Sequence, residues 1–83
     1  MCYTYILFSV KLNRYYIGFT AGSVELRLKK HLNSSKGFTY KAKDWKIVYT
    51  ESFPTKSQAM LREKEIKRWR NRKMIENLIS SIE

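Results

Sequence analysis

At 83 residues the chain has room for one small domain, and its apolar and aromatic content is that of a folded protein, not a disordered one. Seventeen Lys and Arg against seven Asp and Glu leave a formal charge of +10, which points to a polyanionic partner. Nucleic acid is the first choice, because each cation laid on a phosphate releases condensed counterion.

A single cysteine, Cys2, excludes an internal disulfide and argues against a secreted, stapled scaffold. The opening run of residues 3–10 is too short to span a bilayer and lacks the basic start of a leader. Rich in Tyr, Ile, Phe and Val, it reads as a first β-strand of a cytoplasmic protein with no membrane role. Lys11-Leu12-Asn13-Arg14 is a polar break of hairpin length, and residues 15–19 resume β character. The pair predicts an antiparallel hairpin with Tyr5 and Tyr16 on neighbouring strands. Gly18 interrupts the second strand, a place for a bend or a close approach.

Ser23 suits the N-cap of a helix over 24–33 whose buried stripe is Val24, Leu28 and Leu32. Arg27 and His31 lie one turn apart on the same side and flank that stripe, so both border the cleft where helix meets sheet. The following loop mixes Lys36, Tyr40, Lys41 and Lys43, a basic and aromatic blend that suits a nucleic-acid backbone and its bases, or an ordinary polar loop. Residues 45–53 alternate and predict the third and longest strand, with Trp45, Ile47, Tyr49 and Phe53 on one face.

Pro54 stops that strand, and Thr55 with Gln58 has the form of a capping box for a helix over 56–70. On its wheel Ala59, Met60, Glu63 and Ile66 share a face. A carboxylate inside an apolar stripe is costly unless it is paired or bound to a metal. Arg68, Arg70, Arg72 and Lys73 then crowd around Trp69, expected on the surface. A last helix over 73–82 would pack through Met74, Leu78 and Ile82.

Taken in order, Tyr3-Thr4-Tyr5, Tyr16-Ile17-Gly18, Arg27 with His31, and Glu63 in a basic helix resemble the GIY-YIG nuclease domain. The likeness covers nearly the whole chain and is closest to the small, single-domain bacterial members. It implies an α/β fold of the α+β type: a three-stranded antiparallel sheet flanked by helices, in the order β-β-α-β-α-α, as one domain over 1–83. It also implies Mg²⁺-dependent hydrolysis of DNA phosphodiesters, with Mn²⁺ as a substitute. Carried over by position, Tyr5, Tyr16, Arg27, His31 and Glu63 form the catalytic set, and Glu63 is the metal ligand. Gly18, Tyr49 and Asn77 are candidates for its support, with Asn71 second to Asn77.

Lys30, Lys67, Arg68, Trp69, Arg70, Arg72 and Lys73, with the loop residues above, are the candidate nucleic-acid contacts. Two features depart from the family pattern: the first half-motif is Tyr-Thr-Tyr, and Phe19 stands where some members carry lysine. The general base stays open among Tyr5, Tyr16 and His31. A monomer or weak homodimer is expected, recognising DNA structure such as nicks, flaps and branches, or guided by a protein partner. The alternatives are a basic module that binds DNA or RNA without cleaving it, and, more weakly, an RNA-associated protein.

Overall fold

In the computed structural model, which describes residues 1–33 and 41–81, two strands and a helix precede a third strand and two more helices. Strand β1 is Cys2–Ser9 and β2 is Arg14–Thr20, followed by helix α1, Val24–Asn33. Strand β3 is Lys46–Phe53, and helices α2, Lys56–Trp69, and α3, Arg72–Ser80, complete the fold. The three strands form one antiparallel sheet in the order β2-β1-β3, as expected. Lys36, Tyr40 and Ile82, named above, lie outside the described residues.

The four-residue connection between β1 and β2 closes through the Asn13 amide, which donates to the Val10 carbonyl at 3.2 Å. Asn13 itself adopts a left-handed φ of 54°, a conformation asparagine tolerates better than most residues. Alternation along β1 then divides the core. Tyr5 and Leu7 face α1 together with Val24 and Trp45. Ile6 faces the other way and packs with Ile17, Tyr49, Ile66 and Ile75 under α2 and α3. Thr4, fully buried on that second side, donates its hydroxyl to the Ala59 carbonyl of α2 at 2.7 Å, so the helix is fixed by a satisfied polar group as well as by burial.

Two expectations about β3 change here. The β1–β3 register slips between Ile6 and Leu7: Ile6 opposes Tyr49 but Leu7 opposes Ile47, leaving Val48 as an extra residue. That bulge turns Ile47 toward α1 and Tyr49 toward α2, so the two do not share a face. Strand β3 is eight residues long, the same as β1, and is not the longest.

The last helix starts at Arg72, capped by Asn71, whose side chain accepts from the Met74 amide. Its packing edge is Ile75, Leu78 and Ile79, while Met74 is 42% exposed. Trp69 is also not a surface ring. It is half-buried against the Ile6–Ile66 cluster, and the Arg62 guanidinium lies over it at 5.6 Å.

Candidate active site

The site grows from the close approach of β2 and α1. In the β1–β2 register Tyr5 opposes Gly18 and Leu7 opposes Tyr16, so the two tyrosines sit two residues apart on the α1 face. Glycine is needed at position 18 for space. A Cβ there would lie 2.5 Å from the Tyr5 hydroxyl and 2.6 Å from its ring carbon Cζ. The missing side chain lets the Tyr5 ring lie flat against the edge strand.

Helix α1 begins at Ser23, whose hydroxyl oxygen accepts from the Leu26 amide and donates to the Glu25 carboxylate. Its inner face carries Val24 and His31 into the core, with His31 8% exposed. The His31 Nε2 and the Tyr5 hydroxyl share a 2.9 Å hydrogen bond. The Tyr16 ring stands edge-on to the imidazole at 4.9 Å between centroids, and edge-on to Trp45 at 6.4 Å. His31 is therefore a wall of the site and not merely a flank of the helix. Arg27, one turn earlier, is exposed.

Electrostatics tie these groups together. Burial pushes the Tyr5 phenol above its ordinary value of 10; the approach of Arg27 pulls the other way, and the charges of Tyr16 and Glu63 add to the rise. Burial, assisted by the positive charge of Arg27, lowers His31 below its ordinary 6.5. At neutral pH both groups of the hydrogen-bonded pair are thus uncharged. Exposed Arg27, one turn before His31, supplies the fixed positive charge there.

Glu63 does fall on the inner side of α2, between buried Ala59 and Ile66, with its side chain 14% exposed. The Lys67 ammonium sits 3.5 Å from one of its oxygens. Among the described residues, no group of three or more His, Cys, Asp and Glu is placed to hold a metal. Glu63 thus offers one hard oxygen donor, a set that suits a Mg²⁺ ion retaining most of its waters and not a caged one. The donors present fit a divalent cation of that kind.

The supporting residues separate. Gly18 belongs to the cluster. Tyr49 is buried on the opposite face, donating to the Glu51 carboxylate at 2.6 Å. Asn77 is exposed on α3 and, among the described residues, its side chain makes no hydrogen bond; Asn71 serves as the α3 cap.

Of the basic candidates, Lys30 lines an open concavity of about 660 Å³ with Arg27 and with Lys29 and Lys56. Lys56 comes to Arg27 from α2, a neighbourhood that no local sequence signal marks, whereas Lys29 is two residues along α1. Lys41, Lys43, Arg68 and Lys73 are exposed. Arg70 is the left-handed C-cap of α2, with φ 45°. Arg72 is committed to structure: it donates to the Asn13 carbonyl at 3.0 Å, to the Asn13 side chain at 2.7 Å and to Glu76 at 3.0 Å. No described helix is long and apolar enough to cross a membrane.

Residues 1–77 match the family described as the GIY-YIG catalytic domain. The chain is 43% identical to UPF0213 protein SH2523 of Staphylococcus haemolyticus (strain JCSC1435), over 89% of this chain and 93% of that protein. No solved structure matches it significantly. With tyrosines from both half-motifs meeting an arginine and a histidine of the first helix, and with that family match over 1–77, the chain belongs to the nuclease-type GIY-YIG catalytic-domain family.

Proposed function

We propose that this protein is a metal-dependent endonuclease that hydrolyses DNA phosphodiester bonds as a single domain. The observation that carries the reading is the 2.9 Å hydrogen bond of Tyr5 to His31, which joins the first half-motif to α1 with Arg27 one turn away. Exposed Arg27 offers a planar, permanently charged fork for the phosphate and for the charge that grows on it during displacement. A divalent cation, when held at Glu63, supplies the Lewis acidity that polarises the phosphate and stabilises the leaving 3′ oxygen.

The proton of the attacking water has a route through the chain's own atoms. Tyr5 lies between Arg27 and His31 Nε2. A proton drawn from the attacking water through the Tyr5 oxygen ends on Nε2, leaving hydroxide to attack phosphorus; the imidazolium then releases its proton to solvent, and the leaving oxygen, on the far side of phosphorus, takes its proton from water. A neutral His31 is the state this relay needs, and burial provides it at neutral pH. Tyr16, edge-on to the ring, holds the imidazole plane.

One contact favours a second reading, a basic DNA-binding module without turnover: Lys67 already neutralises Glu63. A cleavage assay separates the two. Supercoiled plasmid and nicked, flapped and branched duplexes are incubated with Mg²⁺, Mn²⁺ or EDTA, using wild type beside Glu63→Ala. Metal-dependent strand scission that disappears in the variant supports the nuclease. Salt-sensitive binding with no scission under either metal selects the binding module.

A further inference from the structure

On the face of the sheet away from His31, the β1–β2 turn and the α2–α3 corner enclose a second concavity of about 530 Å³. Its floor includes Ile17, Ile66 and Ile75, all 9% exposed or less. Its rim carries Arg14, Lys67, Arg70 and Arg72. No carboxylate lines it, and the two that pair with rim cations, Glu63 on Lys67 and Glu76 on Arg72, take up only part of that charge. Among the described residues Arg14 and Arg70 have no ion pair. The volume is that of a small-molecule site, and an apolar floor under a cationic rim fits a flat ring attached to phosphate.

The rim is also prepared for stacking. The Arg72 guanidinium lies over the rings of Tyr15 at 5.2 Å and Phe8 at 5.8 Å. Three donated hydrogen bonds, two to Asn13 and one to Glu76, fix its plane. Guanidinium planes and aromatic rings are the platforms on which unpaired bases stack, and a plane held in advance loses little freedom when a base arrives. Duplex backbone alone would use the cations but not the apolar floor.

We infer that this concavity receives an unpaired nucleotide of the substrate DNA, its base against Tyr15 and the exposed edges of Ile17 and Ile75 and its phosphate between Arg14 and Arg70. The inference rests on DNA being the substrate. Lys67 connects the two places, since it lines the concavity and pairs with Glu63. A phosphate drawn to Lys67 loosens its hold on the carboxylate, so an occupied pocket leaves Glu63 more available. Substrates with a single-stranded branch are therefore preferred over blunt duplex.

The test is fluorescence anisotropy in EDTA, so that nothing is cleaved, with the full chain and two probes: a blunt duplex and the same duplex bearing a single-stranded overhang. Wild type should favour the overhang about tenfold, and Arg14→Ala/Arg70→Ala should remove that preference while reducing the salt slope by about two. Equal affinity of wild type for both probes, or an equal loss on both in the variant, overturns the pocket. Amide shifts of wild type on adding the overhang duplex give a readout independent of any substitution: they should centre on Asn13, Tyr15 and Ile75, and shifts confined to the Arg27 side overturn it. The catalytic reading stands or falls separately, on scission by wild type against Glu63→Ala. A pocket-dependent preference without scission would keep this inference and discard the nuclease.

Discussion

The Tyr5 hydroxyl and His31 Nε2 meet at 2.9 Å in a place where both residues are almost wholly buried. The bond joins the central strand to the first helix and holds two titratable groups in their neutral forms. Burial raises Tyr5 and lowers His31, with Arg27 opposing the first shift and reinforcing the second. The stability of the fold and the chemistry proposed for the site therefore depend on the same imidazole.

The pH dependence of folding follows from that. The folded chain holds His31 below its ordinary 6.5, so the unfolded chain binds more protons at mildly acid pH. The stabilisation is complete above about 6.5 and is lost as pH falls from there through the lowered folded value. Thermal unfolding of wild type should show a falling midpoint between pH 7 and pH 5, and His31→Gln should flatten that part of the curve. The acid limb of the cleavage profile should lie below 6.5 for the same reason. An unfolding midpoint equally pH-sensitive in His31→Gln would sink the assignment.

Gly18 gives a steric prediction. A Cβ at that position meets the Tyr5 hydroxyl and ring carbon at distances that real side chains do not adopt. Tyr5 cannot swing aside cheaply, because its ring is packed in the core and its hydroxyl is bonded to His31. Gly18→Ala should cost about 1–3 kcal/mol in chemical denaturation, typical of overpacking. Cleavage should fall further than stability, since the displaced hydroxyl is the one placed between Arg27 and His31. A variant with unchanged stability and activity would show that the strand yields there.

Tyr49 supplies the control for the site's tyrosines. Its hydroxyl donates to Glu51, and Glu51 in turn pairs with Arg62 of α2 at 3.3 Å. All three lie on the face away from His31, in the layer that holds α2 to the sheet. Tyr49→Phe should cost about 1.5–3 kcal/mol, the usual range for a hydrogen bond to a charged group, and leave cleavage by the folded protein unchanged. Tyr5→Phe, assayed beside it, should lose cleavage. Comparable kcat losses in the two would place Tyr49 in the chemistry after all.

These contrasts also explain what could be read from the residues alone. The hairpin and the first two helices are legible because β-formers flank a short polar break and apolar residues recur at helical spacing, with Ser23 and Thr55 marking helix starts. Glu63 was legible because a carboxylate in an apolar helical stripe is conspicuous. Tyr49 was misplaced on the Ile47 face because alternation assumes an unbroken strand, and the bulge at Val48 leaves no chemical mark in a run of β-formers. Met74 and Ile75 each head an apolar series at helical spacing, Met74-Leu78-Ile82 and Ile75-Leu78-Ile79, and only the packing under the sheet selects the second. Lys56 meets Arg27 in its concavity from the start of α2, about thirty residues on, and local sequence carries no signal of that approach.

Neither composition nor resemblance distinguishes Asp44, yet it anchors the β1–β2 turn. Asp44, just before β3, accepts the Ser9 hydroxyl at 2.6 Å and the Lys11 amide at 2.9 Å. The fully buried Ser9 oxygen accepts in turn from the Leu12 amide at 3.1 Å, so one carboxylate satisfies the polar groups at the root of the β1–β2 turn. The Ser9 hydrogen bond first, and the Lys11 amide second, hold Asp44 below its ordinary 3.8. The folded chain here binds fewer protons than the unfolded one, so the contribution is present above about 3.8 and disappears as pH falls through the lowered value. Asp44→Ala should lower the unfolding midpoint at pH 7, leaving Ser9 without its acceptor, and the difference from wild type should shrink toward zero below pH 3.8. That window opens near 3.8, below the 6.5 at which the His31 window opens, and the Asp44→Ala and His31→Gln curves beside wild type assign each. A midpoint difference that persists unchanged in acid would mean that Asp44 acts through packing and not through its charge.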